Sequence, residues 1–200
     1  MNIFILSEDP IEAAQMQCDK HVPKMIVESA QMLSTAHRML DGSPTRRPSK
    51  SGKTMQQYYE FEDTAKDDLL YKAVHKYHPC TTWTMASKAN YIWHYRHFIA
   101  LGNEFEYRFG KSHASITKLG VALAKIPNNI PDIGQTPFAL AMSAYPDCIH
   151  ESDAVTSYRK FYHADKLRFA KWNRRRAAPE WWQGPVSDNR AVSTQHEAVL

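Results

Sequence analysis

Glycine is scarce in this chain, 7 in 200 residues, and none is spaced as in the Gly-rich loops that cradle phosphates. That excludes Walker-type and Rossmann-type nucleotide sites. A Gly-x-Ser-x-Gly elbow is missing too, so nucleophilic catalysis by Ser or Cys has no local signature. Cysteine is equally sparse. Three cysteines, an odd number, argue against a disulfide framework and for a reducing compartment, and we expect a cytoplasmic protein (host cytoplasm if phage-encoded). No run nears the roughly 18 apolar residues of a membrane span. The start, MNIFILSEDP, turns acidic too early for a signal peptide. Cys18 with His21, His75 and His78 with Cys80, and Cys148 with His150 have short zinc-like spacings. None repeats as Cys-x-x-Cys, so they read as buried thiols and turn histidines, and neither a metal nor a cofactor is implied.

What the chain does have is apolar and aromatic side chains, 43% and 12% of residues, enough for a core. Their spacing predicts a mainly α fold, a multi-helix domain over residues 1–183 with a short N-terminal extended segment or strand at Met1 to Leu6. Residues 184–200 carry little hydrophobic content and read as a tail. Pro10 opens a short helix. The stretch Cys18 to Leu40 predicts a long amphipathic one, N-capped by Asp19. Its apolar side carries Val22, Met25, Ile26, Leu33 and Ala36; its polar side carries His21, Lys24, Glu28, Gln31, Thr35 and Arg38. Asp41 to Met55 reads as a basic loop, and Gln56 to Val74 as mostly helical. One aromatic-rich helix is expected from Trp83 to Phe109, closed by Gly110. Further helices follow, capped by Ser112 and by Ser152, and the Pro-rich connection Pro127 to Phe138 borders a cleft.

The formal charge of +4 permits an anionic partner, and its distribution suggests where. Lys20, His21 and Lys24 crowd the first turn of the long helix, beside unpaired amides and the positive end of its dipole. Arg46 and Arg47 lie in the basic loop; Arg108 and Lys111 flank the end of the aromatic helix. Trp181 and Trp182 either stack on bases or strap the tail onto the core. These residues are the expected nucleic-acid contacts. His21 is the expected proton carrier, because an ordinary imidazole titrates near neutrality, and Glu28, two turns along the same face, is expected to orient it.

Two of these stretches carry a resemblance. Lys20-His21-Val22-Pro23-Lys24 on an N-terminal helix and the ending Pro179-Glu180-Trp181-Trp182 resemble the small phage pyrimidine-dimer DNA glycosylases of the endonuclease V type. CDKH at Cys18, HPCTTW at His78 and YRFGK at Tyr107 resemble phage proteins that carry the same label. The resemblance implies an all-α scaffold that acts on DNA. It implies a main-chain N-terminal amine that attacks the sugar carbon of a damaged nucleotide, a glutamate that stabilises the intermediate, and phosphate-gripping bases at Lys20 and Lys24. The sequence departs from that family at two positions. His21 stands where the glutamate belongs, and Asn2 is too large for removal of Met1, so the amine is that of Met1. The leading expectation is therefore a phage-type, DNA-acting enzyme on a base or nucleotide, with no membrane partner. The alternatives are a transferase of phage thymine hypermodification, joining an amine or amino acid to an activated base, and a non-catalytic module binding nucleic acid or a host protein.

Overall fold

Asp9 and Pro10 start the first helix, α1 (Pro10–Gln15), as the sequence predicts: the Asp9 carboxylate accepts from the amides of Ile11 and Glu12, and proline occupies a position where no amide is needed. The structure, a computed structural model, describes residues 1–49 and 51–184; the expected tail lies outside them except for its first residue. Among the described residues the chain is mainly α, with seven α-helices and one two-stranded sheet.

The long helix α2 (His21–Asp41) forms, but Asp19 does not cap it. The Asp19 carboxylate is drawn away by the Arg108 guanidinium at 2.9 Å and the Asn173 amide at 2.7 Å. The amides of His21 and Val22 turn back onto the Cys18 carbonyl, so the expected anion seat is filled by the chain itself. The polar face also differs from expectation. His21, Thr35 and Arg38 are buried, because helices and connections pack around α2 on more than one side.

Residues 41–55 and 56–74 are not a loop followed by a helix. They form a hairpin, β1 (Ser43–Pro48) against β2 (Met55–Glu60), antiparallel with Arg46 opposite Gln57. Tyr58 and Tyr59 favour a strand, and Pro44 and Pro48 are tolerated because a two-stranded ribbon has only edges. Only α3 (Thr64–Leu69) of the expected helix survives. Leu70 to His78 then runs without helix, antiparallel along α2: Arg38 binds the Tyr71 carbonyl, and Thr35 exchanges hydrogen bonds with both the amide and the carbonyl of Val74.

The aromatic helix is two helices, α4 (Pro79–Ala86) and α5 (Lys88–Phe109). Ser87 breaks them with an extended backbone (φ −154°) and caps α5 through the Asn90 amide. Gly110 closes α5 at φ +69°, the left-handed geometry that glycine adopts without strain. α5 packs across α1 and α2, burying Tyr91, Trp93, Phe98 and Phe105. α6 (Ala114–Leu123) is capped by His113, not Ser112, and α7 (Ala154–Phe161) by Asp153, not Ser152, each cap shifted one residue inward. One turn of π-helix, Tyr162–Lys166, extends α7 and directs Tyr162 into the core.

Met1 to Leu6 forms neither helix nor strand, and Asn2 to Leu6 are buried. Asn2 holds this segment by accepting from the amides of Ile3 and Phe4 and donating to the Ala141 carbonyl. Phe4 sits at φ +58°, a strained conformation for a bulky residue that persists only where surroundings enforce it. Its ring is enclosed by His21, Tyr158, Phe161 and Tyr162.

Candidate functional site

The buried N-terminal segment delivers its amine to α2. The Met1 amine lies 3.9 Å from the Glu28 carboxylate, and the Asn2 amide donates to the same oxygen at 2.8 Å. Lys24, one turn earlier on α2, reaches the other oxygen at 3.6 Å. The Glu28 side chain is 14% exposed, whereas that of Lys24 is 63% exposed and faces outward. Glu28 thus pairs its carboxylate with the terminal amine and with the outward-facing Lys24, at the edge of solvent.

His78, at the end of the chain segment that tracks α2, belongs to the same neighbourhood. Its partial burial lowers its pKa, and the adjacent positive charges of the Met1 amine and His75 lower it further against the opposing pull of Glu28. Its Nδ1 accepts from the Cys80 amide and so caps α4. His75 adopts φ +46°, a strained backbone conformation for a non-glycine residue. Cys80 lies behind the site. Burial pushes its thiol up to about 11, so it is held as a neutral thiol rather than a nucleophilic thiolate.

His21 is not where a proton carrier should be. Its ring is 3% exposed, stacks on Phe4 at 4.6 Å and meets the Tyr162 hydroxyl through Nδ1 at 2.5 Å. Burial, reinforced by Lys166 and Lys24, lowers its pKa to about 3, so the imidazole stays neutral at physiological pH. The expected pairing with Glu28 does not form: Glu28 turns to the amine and His21 to the core.

The remaining basic residues divide by burial. Lys20 is exposed over the Phe169 ring at 4.7 Å, Lys166 covers Phe161 at 4.7 Å, and Arg168 lies over Phe169 at 5.4 Å. Lys166 is largely buried and ion-paired with Asp165, so the exposed cations around the start of α2 are Lys20, Lys24 and Arg168. Lys111 is exposed just after the α5 cap. Arg46 is exposed, whereas Arg47 is engaged by Glu60 at 2.7 Å and stacks on Tyr58 at 4.2 Å. Arg108 has to be reassigned. Its guanidinium is fully buried and bonded to Glu104, Asp19 and the Gln15 carbonyl, so it locks α5 to α1 and cannot meet a phosphate. Trp181 and Trp182 pack on Tyr162, His163 and Trp172, and Trp181 donates to Met16 Sδ. They strap residues 179–182 onto the core rather than presenting stacking faces.

The Pro-rich connection borders a groove of about 820 Å³ shared with Ser7, Glu151 and Arg159. Among the described residues, no group of three or more His, Cys, Asp or Glu comes together in a metal-binding arrangement, and the three cysteines are free and buried. Nor is any described helix long and apolar enough to cross a membrane. Compared with known protein families, with curated proteins and with solved structures, the chain matches none.

Proposed function

We propose that this chain is a DNA-acting enzyme that uses the Met1 amine as nucleophile on the sugar of a damaged or modified nucleotide. The observation that carries this reading is the contact between that amine and the Glu28 carboxylate, within a rim of exposed lysines. The N-terminal segment serves as the arm that carries the amine. As the amine nitrogen bonds to C1′, the glycosidic C–N bond breaks, and the base departs with a proton. Glu28, as a carboxylate, stabilises the positive charge that develops at C1′; it then takes the proton released by the newly bonded nitrogen and delivers it to the departing base. Lys20 and Lys24 hold flanking phosphates, because a flipped nucleotide needs its backbone gripped on both sides. Opening of the sugar ring then leaves an imine that borohydride reduces to a stable amine.

The test is incubation with ultraviolet-irradiated, uracil-containing and phage-modified DNA in the presence of borohydride, read by intact mass and peptide mapping. A protein–DNA adduct mapping to residue 1 is expected. Glu28→Gln, nearly isosteric, should cut trapping at least about 100-fold while changing stability by less than about 1 kcal/mol. An adduct on a lysine side chain would remove the Met1 amine from the mechanism. No adduct on any of the three substrates would sink the reading, and an altered nucleoside without an adduct would replace it with base transfer.

A further inference from the structure

The hairpin has two unlike faces. Antiparallel register puts Ser43, Thr45 and Arg47 on the face shared with Glu60, Tyr58 and Gln56. That face is internally satisfied: Glu60 accepts from Arg47 and from Thr45, and Tyr58 bonds Gln56. The opposite face carries Arg46 directly across from Gln57, flanked by Pro48 with Met55 and by Pro44 with Tyr59. No carboxylate belongs to it. Arg46 and Gln57 are exposed, and Met55 is 55% exposed. Beside the face at its root, Lys76 stands over the Tyr59 ring at 5.0 Å, and Tyr77 is 79% exposed.

This ribbon is also tied to the amine. Arg38 anchors its root through the Tyr59 carbonyl, and the Tyr71 to His78 segment runs from there along α2. Lys76, beside the ribbon, is therefore two residues from His78, which feels the Met1 amine and Glu28. The segment from Tyr71 to His78 thus links the ribbon to the neighbourhood of the amine.

We infer that the Arg46–Gln57 face of the β1–β2 ribbon enters the major groove of double-stranded DNA and reads base edges beside the target nucleotide. This rests on the proposal that DNA is the partner. A two-stranded ribbon is one of two elements that fit this groove, which is about 12 Å wide, and six residues per strand span roughly 20 Å. Arg and Gln are the side chains with bidentate matches to guanine and adenine edges. Placed directly opposite each other, they face neighbouring base pairs. Lys53, exposed in the turn, is placed for the phosphate backbone. The face has positive charge without a carboxylate to offset it, which complements the duplex and would be repelled by an acidic protein surface.

The experiment measures affinity of the full chain for a panel of 20-base-pair duplexes of different sequence and for the matching single strands, across a salt series. The wild-type chain should prefer some duplex sequences and bind duplex more tightly than single strand. Arg46→Ala and Gln57→Ala should each weaken the preferred duplex about tenfold and level the panel, with single-strand affinity within about twofold. Lys53→Ala should weaken all duplexes alike and reduce the salt slope by about one. All three positions are exposed, and unchanged circular dichroism and Tm confirm that the variants fold. Wild-type duplex binding that survives both substitutions would overturn the inference while leaving the DNA reading intact. Absence of duplex binding would overturn it as well; borohydride trapping on single-stranded substrate then decides the DNA reading separately.

Discussion

The two ends of α2 each hold a charged side chain in a low-exposure setting, and they differ in what surrounds it. Arg38, near the C-terminal end, has a fully buried guanidinium, and its five N–H donors make five hydrogen bonds: to the carbonyls of Tyr59, Tyr71, Leu70 and Asp67 and to the Asp67 carboxylate. Nothing is left over. Glu28, in the N-terminal half, meets the terminal amine, the Asn2 amide and the exposed Lys24 at the edge of solvent. Saturation marks Arg38 as structural: it pins the ribbon and the Tyr71 to His78 segment to α2. Incomplete enclosure leaves the Glu28 carboxylate within reach of solvent. The same contrast separates Arg108, buried and saturated, from Arg46, exposed with no ion pair among the described residues.

The largest effect that could break this contrast is at Arg38. Arg38→Ala leaves the carbonyls of Tyr59, Asp67, Leu70 and Tyr71 without this donor and takes one partner from the Asp67 carboxylate, and should cost about 3–5 kcal/mol in urea unfolding. A loss below about 1 kcal/mol would mean that the guanidinium is no anchor. An intermediate effect should appear with acid. His21 is held neutral with a pKa of about 3, and His37 and His97, also buried, at about 4. Unfolded histidines titrate near 6.5, so the unfolded chain takes up protons first. Their contribution to stability is complete above that pH and is lost as pH falls through 6.5 toward 4, by on the order of a few kcal/mol. Tm measured from pH 7 to pH 4.5 should fall accordingly. His21→Phe, which keeps the stack on Phe4, should flatten part of that slope; an unchanged slope would show that His21 is not the neutral buried base described. The smallest effect belongs to the exposed end. Lys20→Ala should change stability by less than about 0.5 kcal/mol while reducing the salt dependence of DNA binding by about one phosphate contact.

Asp67 adds a second acid limb at lower pH. Burial alone would raise its pKa, but hydrogen bonds from Lys72, Arg38 and the Phe61 amide outweigh that and hold it well below the ordinary carboxylate range. Its stabilising contribution is present above the unfolded value near 3.9 and lost as pH drops below it.

Legibility in the sequence followed the range of the interaction. α1, the long α2 and the Gly110 terminus of α5 depend on neighbours a few positions away, and their signals sit in the local pattern. The hairpin was hidden because its strands gain their definition from each other and from Arg38, and basic residues with prolines read as a loop when taken alone. The site was half legible. Glu28 and Lys24 stand out on the helix, but their link to Met1 spans most of α2 and the whole N-terminal segment. His21 was misplaced on the polar face because helical spacing cannot register that α7 and its π-turn bring Tyr162 against it.

What the sequence by itself determined is the mainly α character, the long amphipathic α2 and the excess of positive charge, since each follows from composition and short-range periodicity. Tertiary structure alone decided which charges face water. Arg108 and Arg38 vanish into saturated clusters, while Arg46 and Lys24 remain outside. The reason is that a buried charge is tolerated only where partners from distant segments converge on it, and convergence is a property of the folded chain.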